Sequence, residues 1–112
     1  SCTSFVHELA RARTFGFAKD IDSLRAKGLA LGGGLNNAVV LNDKEIINLN
    51  GLRSKDEFVS HKMIDAIGDL SLCGQVILGH FTGIRSGHTL NNRLMLQLLD
   101  RLDCWEEVTV PD

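Results

Sequence analysis

The sequence predicts an α+β fold: a two-layer sandwich in which two main helices cover one face of a mixed sheet. Three observations carry this reading. Two long segments place apolar residues at helical spacing, and each is bounded by turn signals. Short β-rich runs stand before, between and after them. Those runs include a hairpin and a tail strand, which break the strict alternation of a doubly wound sheet.

Each element has its own local reason. Ser4 is placed to cap a short helix through Arg11, with Val6, Leu9 and Ala10 on one side. Ala12 to Phe17 alternates loosely between apolar and polar and reads as a short strand. Asp20 to Lys27 carries acids first and bases last around Ile21 and Leu24, which fits a two-turn helix stopped by Gly28. Gly32-Gly33-Gly34 lacks the G-K-[ST] ending of a phosphate loop and opens toward a strand, so it is read as a flexible turn. Asn37 to Leu41 and Glu45 to Leu49 form the two arms of a predicted hairpin around Asn42-Asp43-Lys44.

The strongest helix follows. Ser54 can cap it, and Asp56 and Glu57 suit its N-terminal end. Val59, Met63, Ala66, Ile67 and Leu70 fall on one broad face, and Gly74 stops the run. Gln75 to Ile84 reads as a strand interrupted by Gly79 and Gly83. Ser86-Gly87-His88 opens a second long helix through Leu102, carried by Leu90, Leu94, Leu98, Leu99 and Leu102. Trp105 to Val110 is the predicted last strand.

Bulk properties exclude several classes. The 112 residues suit one small domain. With 23% charged residues and a net charge of −2 there is no electrostatic case for nucleic acid. No apolar run reaches the length of a membrane span. Ser1 to Ala10 lacks the basic start and apolar middle of a signal peptide. The first residue is not Met, so a piece of a longer protein is expected. Cys2, Cys73 and Cys104 are odd in number and without C-x-x-C spacing, which argues for a reducing compartment, against a disulfide framework and against a cysteine zinc site; the expected setting is cytoplasmic.

One stripe on the strongest helix invites chemistry. His61, Asp65 and Asp69 recur every four residues beside the apolar face. An i, i+4 pair places its Cβ atoms about 6 Å apart, so an imidazole and a carboxylate can reach one ion. On spacing alone the commoner meaning of H-x-x-x-D is a surface pair that modestly supports the helix. A catalytic zinc takes about three protein ligands. His7, His80 and His88 are further candidates, but none has a spacing that marks it as the third, and no glutamate is placed as a base. Read from the residues alone, the metal site is incomplete.

Five blocks in order add a resemblance: A-R-T-F-G-F (12–17), L-A-L-G-G (29–33), D-E-F-V-S-H-K-M-I-D-A-I-G-D-L (56–70), S-G-H-T-L-N-N-R-L (86–94) and W-E-E-V-T (105–109). Together they closely resemble the C-terminal half of the UDP-3-O-acyl-N-acetylglucosamine deacetylases, zinc amidases that commit a sugar nucleotide to lipid A synthesis. The resemblance implies two similar α+β sandwiches with the active site between them. Residues 1–112 would form the second, and an N-terminal domain is missing. It also implies a β-α-β insert over about 14–41 that forms a passage for the substrate's acyl chain.

Carried over by position, His61 and Asp65 match two of three Zn2+ ligands. His88 matches a cationic histidine that stabilises the oxyanion and protonates the leaving amine, and Asp69 matches the carboxylate that orients it. Thr14 matches a hydroxyl that assists the oxyanion, and Phe15 an aromatic beside the sugar. Lys62 and Gly87 match substrate contacts near the nucleotide, while Ile21, Ala30, Gly33 and Val40 match walls of the acyl passage. Arg85, Ala18, Ala30 and Leu35 depart from the residues common in the family, which bears on acyl preference rather than on the chemistry.

The third zinc histidine and the general-base glutamate belong to the family's other half. The implied activity is hydrolysis of the N-acetyl group of UDP-3-O-acyl-N-acetylglucosamine to amine and acetate, with this chain inactive alone. A reading of another class is a non-catalytic module that binds the acyl chain or the nucleotide sugar. A third is a fragment with an exposed former interface.

Overall fold

A computed structural model describes residues 1–109. It is an α+β arrangement of helices and one small parallel sheet. The chain divides into two compact units, Ser1–Ile64 and Asp65–Asp112, and the division falls inside one helix.

The first unit opens with α1, Cys2–Ser4, whose Ser4 amide donates to the Ser1 hydroxyl at 3.2 Å. A π-helical turn, Phe5–Leu9, continues it where a plain α-helix was expected, with the Ala10 amide donating to the Phe5 carbonyl at 2.9 Å. Then β1 (Thr14–Phe17), α2 (Ala18–Ala26) and β2 (Ala38–Leu41) make a β-α-β unit. The two strands pair in parallel, with Phe15 opposite Val39 and Gly16 opposite Val40. Ala38, Val39 and Val40 are buried there. Gly28 ends α2 at φ +72°, a conformation that costs glycine nothing.

The triple-glycine turn is tied down more firmly than its composition suggests. Asn37 accepts from the Gly34 amide at 2.9 Å and donates to the Gly32 carbonyl at 2.9 Å. The second arm of the predicted hairpin is reduced to a single antiparallel bridge, Leu41 to Ile46. The cause is Asn48. Its buried side chain accepts from the Val40 amide at 2.8 Å and donates to the Ala38 carbonyl at 2.8 Å. A side chain thus fills backbone positions that a longer strand would have used.

The long helix α3 spans Glu57–Ser71. The Glu57 amide donates to the Ser54 carbonyl at 3.2 Å, a turn that leads into the helix, which starts three residues after Ser54, the expected cap. Of its predicted apolar face only Ala66 is buried, whereas Val59, Met63 and Ile67 remain at least half exposed.

In the second unit, α4 spans His88–Asp100 with Gly87 at its N-cap. Asn91 and Met95, one turn apart on α4, are its buried residues. Residues 75–84 form no strand and are exposed throughout. A strand is held by ladder hydrogen bonds to a neighbour, and among the described residues no strand pairs with this segment. Residues 105–109 likewise carry no regular structure, and Val110 lies outside the described residues. The Trp105 indole nevertheless has a partner, donating to the Leu98 carbonyl at 2.9 Å.

Candidate active site

Two groups of side chains have the character of a site, one in each unit. In the second unit Asp69, on the last turns of α3, meets the start of α4. The His88 Nδ1 lies 2.8 Å and 3.0 Å from the two Asp69 oxygens. Since an ionised carboxylate only accepts, Nδ1 carries the proton and the ring's chemistry is left to Nε2. The Asp69 side chain is only 12% exposed whereas His88 is 66% exposed, so the orienting carboxylate is sheltered and the imidazole is open. Asn91 holds the carboxylate from the other side, its Nδ2 donating to Asp69 Oδ2 at 2.9 Å while its own side chain is buried.

The sequence reading missed Asn91, although a signal was present. It lies three residues after His88 in S-G-H-T-L-N-N, on the same helical face. Gly87 precedes the pair with φ −169°, extended backbone that places His88 at the first turn of α4.

In the first unit the relevant residues gather around β1 and the start of α3. The His61 Nδ1 approaches the Ala12 carbonyl at 3.3 Å. Phe15 of β1 meets Phe58 of α3 edge to face, with ring centroids 4.8 Å apart. The Lys62 ammonium sits 5.8 Å from the centre of the Phe15 ring, within range of a cation–π attraction. Thr14 begins β1 and is exposed.

The positions expected to line an acyl passage all lie on the β-α-β unit. Ile21 is on α2, Ala30 and Gly33 are in the connection, and Val40 is buried in β2. Ala30 adopts φ +53°, and its carbonyl accepts from the Gly33 amide at 3.1 Å.

A second feature carried no spacing signal at all. Glu57, at the first turn of α3, is fully buried and paired with Arg13. Hydrogen bonds from Arg13 hold the Glu57 carboxyl well below its ordinary 4.5, at about 2, against the opposing effect of burial. The same bond raises Arg13.

His61 and Asp65, four residues apart in the sequence, are an imidazole and a carboxylate, donor types that a divalent metal takes. With His61 Nδ1 turned to a carbonyl, Nε2 is the nitrogen suited to ligation. Among the described residues no group of three His, Cys, Asp or Glu side chains is placed to hold a metal ion. None of the helices among the described residues is long and apolar enough to cross a membrane.

Comparison with known proteins bears on what these groups do. The family model described as UDP-3-O-acyl N-acetylglycosamine deacetylase matches residues 1–100. The chain is 58% identical over 112 residues to the UDP-3-O-acyl-N-acetylglucosamine deacetylase of Thioalkalivibrio sulfidiphilus. It is 56% identical to the protein of that name from Hahella chejuensis and 55% to that from Haemophilus influenzae. Each match covers 100% of this chain but 37% of the relative, so the chain spans little more than a third of their length.

Proposed function

The chain belongs to the UDP-3-O-acyl-N-acetylglucosamine deacetylase family, and on that premise we propose that it supplies the C-terminal part of a zinc-dependent amidohydrolase. The substrate would be UDP-3-O-acyl-N-acetylglucosamine, as the relatives' name states. The observation that carries the reading is the sheltered Asp69 bonded at 2.8 Å to an open His88. Such a pair is the equipment of proton transfer and oxyanion stabilisation.

Each residue has a role in this reading. His61 and Asp65 would hold Zn2+ with a third ligand from outside this chain. The metal would supply Lewis-acid polarisation of the acetamide carbonyl and a more acidic water. A general-base glutamate, also from outside this chain, would take the water's proton. Asp69 accepts the Nδ1 proton of His88, so in the cationic ring the second proton is on Nε2, which would donate to the oxyanion and then pass that proton to the leaving amine, leaving the ring neutral. Thr14 would add a hydroxyl donor at the oxyanion. Phe15 would sit beside the sugar, with Lys62 and Gly87 toward the nucleotide. Ile21, Ala30, Gly33 and Val40 would line the acyl passage.

The two-layer sandwich, the insert over about 14–41, an N-terminal domain preceding residue 1 and a cytoplasmic setting belong to the same proposal. It is tested on the full-length protein by following acetate release. His88→Ala is expected to lower kcat by about 10²- to 10³-fold, the usual loss for one oxyanion donor. Removing zinc with a chelator is expected to abolish turnover, and adding it back to restore it. Tight binding of the acylated nucleotide sugar with no turnover, unaffected by His88→Ala, would instead establish a non-catalytic binding module.

A further inference from the structure

Among the described residues Glu57 is the largest side chain that the fold closes off completely, and it is charged. Its carboxylate accepts four hydrogen bonds. Oε1 takes the Arg13 amide at 3.1 Å and the Arg13 Nε at 2.8 Å. Oε2 takes the Arg13 Nη2 at 3.0 Å and the Arg53 amide at 2.7 Å. Arg13 Nη2 also donates to the Gly51 carbonyl at 2.9 Å. The carboxylate is therefore saturated, which is the condition for tolerating a buried charge.

Net stability is a poor reason for such a pair, because well-fitted apolar side chains often hold a fold equally well. Precise placement is a better one. Arg13 is gripped by its backbone amide and its side chain at once, so the Ala12–Arg13 peptide cannot drift. The carbonyl of that peptide belongs to Ala12, and it faces the His61 Nδ1 at 3.3 Å. Glu57 stands one helical turn before His61 on α3. Both sides of the His61–Ala12 contact are thus anchored by a single ion pair. A carbonyl cannot donate, so Nδ1 must carry the proton, and the lone pair of the neutral ring is on Nε2.

We propose that the Arg13–Glu57 clasp is a positioning device for His61. It holds the Ala12 carbonyl where it selects the Nδ1–H form of the imidazole and so presents Nε2 as the ligating atom. Neither Arg13 nor Glu57 touches metal or substrate. The use of the device rests on the zinc reading of His61, whereas the tautomer it selects does not.

The test is long-range 1H–15N NMR on the chelator-treated full-length protein, which reads the His61 tautomer without metal or turnover. The parent is expected to show a proton on Nδ1 and none on Nε2. Arg13→Lys keeps the charge but loses the planar fork. Arg13→Met/Glu57→Leu replaces the pair with apolar side chains and so keeps the region filled. In both, the Nε2–H form of His61 is expected to become populated, with zinc affinity in competition titrations falling about 10- to 100-fold. An unchanged Nδ1–H form in both folded variants would reduce the clasp to a structural role and overturn the proposal, as would a parent His61 already protonated on Nε2. If the parent keeps the Nδ1–H form yet takes up no zinc, the metal reading falls while the tautomer comparison still decides the clasp.

Discussion

Single residues fall into those whose neighbours lie close in sequence and those whose neighbours do not. Asp69 and His88 were marked by their motifs, and the carboxylate–imidazole bond at 2.8 Å gives that pairing its geometry. Asn91 was within reach of the same motif, one turn beyond His88. Glu57 was not. As a residue near a helix start it suggests only a favourable interaction with the helix dipole, and its partner Arg13 is 44 positions away. Its buried charge has a consequence for pH. A carboxyl lowered from 4.5 to about 2 by its hydrogen bonds adds stability above pH 4.5, and loses it as pH falls from there through about 2. The contribution is of order 3 kcal/mol by the usual conversion of a pKa shift. Urea midpoints of the full-length protein should therefore exceed those of Glu57→Gln by a constant margin from pH 5 to 8. That margin should shrink steadily below pH 4.5; a margin independent of pH would show that the charge adds nothing.

At the scale of elements, the helices were legible, and so were the two strands of the parallel sheet, found as Thr14–Phe17 and Ala38–Leu41 inside the runs read over Ala12 to Phe17 and Asn37 to Leu41, whereas the other expected strands did not form among the described residues. The helix predicted over Asp20 to Lys27 is found as Ala18–Ala26, and the opening of the second long helix at His88 follows the Ser-Gly that precedes it. Helical periodicity is satisfied within the segment itself, so a sequence pattern suffices. A strand is not complete without a neighbour. Gln75 to Ile84 has β-rich residues but no pairing among the described residues, and Glu45 to Leu49 gives way to the Asn48 side chain. The connection between α2 and β2 shows a further cost invisible in composition. Ala30 is held at φ +53°, where its Cβ crowds the following carbonyl. Ala30→Gly is expected to stabilise by about 1 kcal/mol, read as a higher thermal midpoint. An unchanged or lower midpoint would mean that the turn relaxes to accommodate alanine.

On the scale of the molecule, the chain is about one third of the relatives' length and its buried apolar set is thin. Among the described residues Ala38, Val39, Val40, Ala66 and Met95 are buried, while Val59, Met63, Ile67, Leu94 and Leu99 keep much of their surface in water. A chain of this size with so little closed off should be only marginally stable alone. The 112-residue chain by itself is expected to bind zinc weakly and to release acetate at a negligible rate. Adding the N-terminal region should tighten zinc binding and restore turnover. Substantial turnover by the isolated chain, lost with His61→Ala, would contradict the shared-site reading.

Family, helices and the pairing of Asp69 with His88 could all be read in one dimension. They depend on patterns that repeat within a turn of helix or on motif blocks whose order along the chain is itself the signal. The parallel pairing of Thr14–Phe17 with Ala38–Leu41 and the closure of Arg13 on Glu57 required the folded chain. So did the carbonyl beneath His61. Each joins residues separated by 24 to 49 positions, and no local preference of either partner specifies the other. Burial then gives those distant contacts their force: a carboxylate that water would satisfy at a helix start becomes, once enclosed, a group that must be met by fixed donors.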